Sequence, residues 1–152
     1  MRGAVMVAMA AWLTASSCGK KSGGGGATSP GAGSASAPLH VEGTPHTDAV
    51  VGALRGAGMA TEGFTVRVPV PFGAAFCEQG LVDAIDTIVC EFPGGDSLAR
   101  GKTALLESWG RDGGQTGVAF ASKLTLIGLV DRARHDPNGK TISRAVETFR
   151  KL

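Results

Sequence analysis

Between Ser22 and Pro38 the chain uses only Gly, Ser, Ala, Thr and Pro. Such a stretch buries too little apolar area to offset the entropy of ordering its backbone, so it reads as a disordered tether. A packed core must then come from residues 39–152. There Leu, Ile, Val and Phe supply 31 of 114 residues, above the roughly 20% below which chains tend to stay unfolded. That is material for one domain. The same region carries 12 Lys and Arg against 13 Asp and Glu, so it is close to neutral. The chain's formal charge of +2 falls short of the strong positive field of a nucleic-acid binder. Its 24 glycines follow no three-residue period, which excludes a collagen-like chain.

The N-terminus has the layout of a secretory signal: a charged start at Arg2, an apolar or small run from Gly3 to Leu13, then Ala15-Ser16-Ser17 before Cys18. The run is short of the roughly 20 residues that a spanning helix needs. Two cleavage chemistries fit. Ordinary signal peptidase accepts Ala15 and Ser17 as its small residues. Small residues immediately before a Cys also resemble the lipobox of bacterial lipoproteins, although Ala15 stands where that family usually has Leu, and Leu13 is two places early. This resemblance covers only the signal and Cys18. It implies that Cys18 is the mature first residue, acylated on its sulfur and its new amine. The protein would then be anchored in membrane lipid and face the periplasm of a bacterial envelope. Gly19, rather than Asp, resembles lipoproteins sorted onward to an outer membrane.

Several acyl chains on one residue anchor firmly where one chain is reversible. Lys20 and Lys21 either add about 1 kcal/mol each of attraction to anionic headgroups or simply solubilise the start of the tether. Residues 19–38, as a Gly-rich coil, would span roughly 22–27 Å, at 5–6 Å times the square root of the residue number.

With Cys18 lipidated, Cys77 and Cys90 remain as an even pair in an oxidising compartment. If Asp83-Ala84 is a two-residue hairpin loop, paired numbers sum to 167 and Cys77 lies opposite Cys90. As a non-hydrogen-bonded pair their Cα atoms come within disulfide range. Ala84 is the weak point, since a type I′ turn wants Gly there, and Gly80 offers a competing turn.

The remaining elements follow from periodicity. Thr47 to Gly58 reads as a helix with Val50, Val51 and Leu54 on one stripe and Gly58 as its left-handed stop. Phe64 to Val70 alternates like a half-buried strand, which Pro69 and Pro71 either end or keep at an edge. A helix from Asp96 or Ser97 to Trp109 presents Leu98, Leu105 and Trp109. A second hairpin pairs Gly117–Ala121 with Leu124–Val130 around Ser122-Lys123. The last helix is capped by Asp136, with Pro137 in its first position and Ile142, Ala145, Val146 and Phe149 on one face. Two hairpins, one further strand and about three helices make an α+β domain, an antiparallel sheet with helices on one face.

No motif assigns a chemistry. Gly101-Lys102-Thr103 ends like a phosphate loop but has Asp96 where the first Gly belongs, and Asn138-Gly139-Lys140-Thr141 has Arg134 there, so no nucleotide is expected. His40, His46 and His135 are too scattered for a zinc set with the two cysteines paired, so neither metal nor cofactor is expected. Asp83, Asp86, Glu91, Glu107, Asp112 and Asp131 read as solvated acids. The densest charged cluster, Arg132, Arg134 and Lys140 beside Asp131 and Asp136, is a solvated turn or, through Arg132 and Arg134, a contact for an envelope protein. The expected function is a non-enzymatic, membrane-tethered accessory or binding domain. The alternatives are a small secreted or periplasmic hydrolase using carboxylates and a redox protein cycling Cys77 and Cys90. Against the latter, redox pairs usually sit as Cys-x-x-Cys.

Overall fold

The computed structural model describes residues 40–110 and 116–152. In chain order they form α1 (Thr47–Gly56), β1 (Thr61–Val66), β2 (Phe76–Val82), β3 (Ile85–Glu91), α2 (Gly95–Gly110), β4 (Thr116–Ser122), β5 (Thr125–Asp131) and α3 (Lys140–Phe149). The five strands make one antiparallel sheet in the order β1-β2-β3-β5-β4. This is the α+β class and the element order expected from the sequence. The expected signal peptide, Cys18, the expected tether and Asp112 lie outside the described residues.

The β2–β3 hairpin has the expected register. Val82 pairs with Ile85 across Asp83-Ala84, Cys77 pairs with Cys90, and the two cysteines are disulfide-bonded with Cα atoms 4.1 Å apart. Asp83 (φ 46°) and Ala84 (φ 66°) are both left-handed, as a type I′ turn demands. The turn holds without glycine because Asp83 is gripped from outside. Its carboxylate accepts the Ala60 N–H at 2.7 Å and its own N–H donates to the Ala60 carbonyl at 2.8 Å. Ala84 still bears the steric penalty of a left-handed residue with a Cβ. Ala84→Gly is therefore expected to stabilise the domain by about 0.5–1 kcal/mol, the relieved strain less the added chain entropy; a denaturation midpoint that falls instead would contradict this.

Gly80 is not a turn but lies inside β2, where a Cβ would stand 2.6 Å from the Phe64 ring. β1 itself departs from expectation. It begins at Thr61, is bulged between Glu62 and Thr65, and ends at Val66. Beyond it only Arg67 still donates its N–H to Cys77, and Val68 is 86% exposed. An edge strand has one neighbour, and two nearby prolines without N–H groups end the pairing that alternation alone would extend.

The helices lie on both faces of the sheet, not on one. On one face Ile85, Val89, Ile127 and Leu129 meet Val50 and Leu54 of α1 and the predicted stripe of α3. On the other, Ile88, Cys90, Leu126 and Val130 meet Leu105 and Trp109 of α2. The cause is visible in β5, whose seven residues are all buried: a strand apolar at consecutive positions needs cover on both sides. Trp109 lies close over glycines, since a Cβ at Gly117 or Gly128 would come within 2.5 or 2.9 Å of its indole.

Helix ends differ in detail. α1 closes through Gly58 (φ 78°). The Met59 N–H reaches the Leu54 carbonyl and the Gly58 N–H reaches Arg55, and Met59 and Leu54 are buried in the same cluster. α3 starts at Lys140 rather than Pro137, because Pro137 and Asn138 form a turn closed from Gly139 N–H to the Asp136 carbonyl. Asp136 caps nonetheless, accepting the N–H groups of Lys140 and Ile142 at 2.9 and 3.0 Å. The β4–β5 turn falls on Lys123-Leu124, one residue later than expected, with Ser122 opposite Thr125.

Candidate functional site

α2 packs against β4 and β5, so it covers only part of its face of the sheet, and a step forms where its cover ends. Antiparallel register puts Thr65, Gln79, Leu81, Asp86 and Ile88 on that face, beside Arg67, whose backbone pairs with Cys77. The step holds a cavity of about 150 Å³. Its inner walls are Phe72, Ile88, Leu105, Trp109 and Val130, and at its mouth stand Arg67, Gln79, Asp86, Ser108 and Arg132. A shallower groove of about 460 Å³ shares Arg67, Gln79 and Asp86 and continues over β1 and β2 to Glu62.

Two of the mouth residues hold each other. Arg132 Nε lies 3.4 Å from Asp86 Oδ2, with both side chains more than a third exposed. Asp86 is opposite Val130 across β3 and β5, and Arg132 follows at the end of β5, so the pair spans neighbouring strands. At that exposure it contributes well under 1 kcal/mol to stability. Its local effect is to orient Arg132 at the rim. Ser108 donates to the Leu105 carbonyl at 2.6 Å. Of the two arginines singled out from sequence, Arg132 is thus at the cleft, whereas Arg134 is exposed in the following turn (φ 57°) and does not line it. Arg67, Gln79 and Trp109 were missed. For Gln79 a signal was present in the 167-sum register, which aligns it with Ile88 and Leu81 with Asp86; that register includes neither Arg67 nor Trp109.

A second polar site lies on the opposite face. Glu91 is not a solvated acid: it is fully buried. Its Oε1 accepts from His40 Nδ1 at 2.7 Å and from the Thr47 N–H at 2.8 Å, and its Oε2 accepts the Val41 N–H at 2.7 Å. The carboxylate thus sits at the N-terminus of α1, where unpaired N–H groups and the helix dipole favour an anion. His40 stacks on His46 with ring centroids 4.6 Å apart and meets Phe76 edge-on at the same distance. Nearby, Thr44 Oγ1 lies 2.6 Å from Thr125 Oγ1 and accepts the Leu124 N–H at 3.1 Å. The domain's first residues are therefore stitched to the ends of β3 and β5. We read this cluster as the fastening of the lead-in segment to the sheet.

Asp131 organises the loop before α3. Its near-burial pushes the carboxyl upward, but the N–H groups of Asp136 and His135, with the His135 charge, outweigh this and hold it below its usual value. A folded-state value below the unfolded one means stability that is present above the unfolded value and lost as pH falls through the folded one. Asp131→Asn is therefore expected to flatten the acid limb of a stability-against-pH curve below about pH 4; an unchanged limb would contradict this.

Among the described residues no group of three or more His, Cys, Asp or Glu could hold a metal ion, and no helix is long and apolar enough to cross a membrane. Gly101-Lys102-Thr103 lies within α2, with Gly101 buried against the Phe92 ring, so it is not a phosphate-binding loop. No family model, curated protein or solved structure matches the chain.

Proposed function

We propose that the protein is a non-enzymatic, lipid-anchored binding module of a bacterial envelope. Acylated Cys18 holds it in the membrane, sorting carries it to the outer membrane, and residues 19–38 let the domain reach a partner on the periplasmic side. The observation that carries the binding role is the cleft beside α2. There Arg67, Gln79 and the Arg132–Asp86 pair surround an apolar floor, the combination of shaped apolar surface and a few polar groups that recognition sites use.

The alternatives have weaker support. A carboxylate hydrolase needs two converging acids. Glu62 and Asp86 border the open groove, but Asp86 faces Arg132 and Glu91 lies on the other side of the sheet. Redox cycling needs accessible sulfur, and Cys77 and Cys90 are both fully buried.

Two measurements test the reading. The intact mass of protein extracted from bacterial membranes should correspond to a chain starting at Cys18 with acyl mass added, and should rise by two protons on reduction. An unacylated chain would remove the anchor from the proposal. A photo-crosslinking side chain at Gln79, inside the cleft, should give an adduct with one envelope component that the same group at Glu147, on α3, does not. Equal labelling from both positions would remove the cleft.

A further inference from the structure

The chemistry of the cleft narrows its ligand, an inference that rests on reading the cleft as the binding site. The cavity, about 150 Å³, suits a single ring: an apolar cavity of about that volume takes benzene, whereas pockets for whole drug-sized ligands run to about 300–1,000 Å³. Its walls are apolar and partly aromatic, through Phe72 and Trp109. The mouth carries two guanidinium groups in different states. Arg132 faces Asp86. Arg67 is exposed and enters no ion pair among the described residues. An unpaired guanidinium presents a planar fork of donors that fits a carboxylate bidentately, and the Gln79 amide beside it adds donors. A cationic ligand would meet Arg67 as a like charge, and a neutral one would leave the fork unused.

We propose that the cleft takes an apolar group about the size of one aromatic ring that bears a carboxylate. The ring lies against Trp109 and Phe72, and the carboxylate lies on Arg67. Free aromatic acids have this chemistry, and so does a peptide C-terminus ending in an apolar residue. For the peptide, the groove that continues over β1 and β2 receives the preceding residues.

The test uses the full chain carrying Trp12→Phe, in which Trp109 is the only tryptophan. Its fluorescence is followed during titration with phenylacetate, with N-acetyl-Gly-Gly-Phe and with the C-terminal amide of that peptide. Both acids should give a saturable change, and the amide should bind at least about tenfold more weakly. Arg67→Gln should bring the peptide acid down to the affinity of the amide, while Arg144→Gln, on α3, should leave it unchanged. A peptide acid bound about tenfold or more tighter than phenylacetate identifies the peptide end as the source; equal affinities identify the free acid.

Equal binding of acid and amide, or an Arg67→Gln variant that binds like the parent, overturns the carboxylate assignment and leaves the cleft as a binding site. No saturable change with any probe up to about 10 mM overturns the ligand class altogether. The Gln79 crosslink then decides separately whether the cleft has another occupant.

Discussion

Glu91→Ala should lower the unfolding free energy by about 3–5 kcal/mol, the range seen when one partner of a buried charged network is removed. The Val41 N–H, the Thr47 N–H and His40 Nδ1 all end on this one carboxylate at 2.7–2.8 Å, and the carboxylate has no exposure to water. Each donor left buried without an acceptor loses about 1–3 kcal/mol. α1 also loses the anion at its N-terminus, worth up to about 1–2 kcal/mol in a partly buried setting. Glu91→Gln keeps the volume and one acceptor oxygen but turns an amide donor toward other donors, so its loss should be roughly half as large. Denaturant midpoints with unchanged slope would measure both. Hydrogen exchange should show the Val41 and Thr47 amides losing protection first. A loss under about 1 kcal/mol for Glu91→Ala would mean that water replaces the carboxylate, and the fastening role would be abandoned.

The second large effect belongs to the disulfide. The bridge joins residues 13 apart, and on the chain-entropy account closing a loop of that size stabilises by about 3 kcal/mol. Both cysteines are fully buried in the α2-side cluster, so Cys77→Ala/Cys90→Ala loses packing as well. The double variant should be at least about 3 kcal/mol less stable than the oxidised parent, and the single variants should come close to it, since each already opens the bridge. Reductant should leave the double variant unchanged and should act on the parent only after unfolding exposes the bond. Ready reduction of the folded parent by mild thiols would reverse this and return the pair to redox chemistry. Because the Arg67 N–H is held by the Cys77 carbonyl, the same variant also tests how far the cleft depends on the staple.

What could be read in advance divides along the range of the forces involved. The β2–β3 register was legible because it follows from the turn, the pairing arithmetic and the cysteine spacing. The α3 stripe was legible because Ile142, Ala145, Val146 and Phe149 repeat at helical spacing. The end of β1 was legible only in part: alternation continues through Val68 and Val70, and Pro69 and Pro71 could either end the strand or leave it at an edge, whereas the pairing stops after Arg67. The start of α3 moved for a related reason: Pro137 suits a first helical position, but here the Asp136 carbonyl is used to close a turn. In the cleft, Arg132 was found through charge density along the chain. Arg67 and Gln79 required knowing which strands share a face and where α2 stops covering it.

By itself the sequence determined the class of the domain, its element order, the cysteine pairing and the separation of a low-complexity N-terminal region from the foldable remainder. These depend on composition, short-range periodicity and turn chemistry, all of which act within a few residues. Only the tertiary structure decided that the helices divide between two faces, that Glu91 is buried under α1, and that Arg67 and Arg132 flank one cleft. Those outcomes depend on contacts between residues 40 or more positions apart, such as Glu91 with His40 and Asp86 with Arg132. A carboxylate reads the same in the sequence whether it faces water or three N–H donors; which it meets is settled when the sheet and helices close around it.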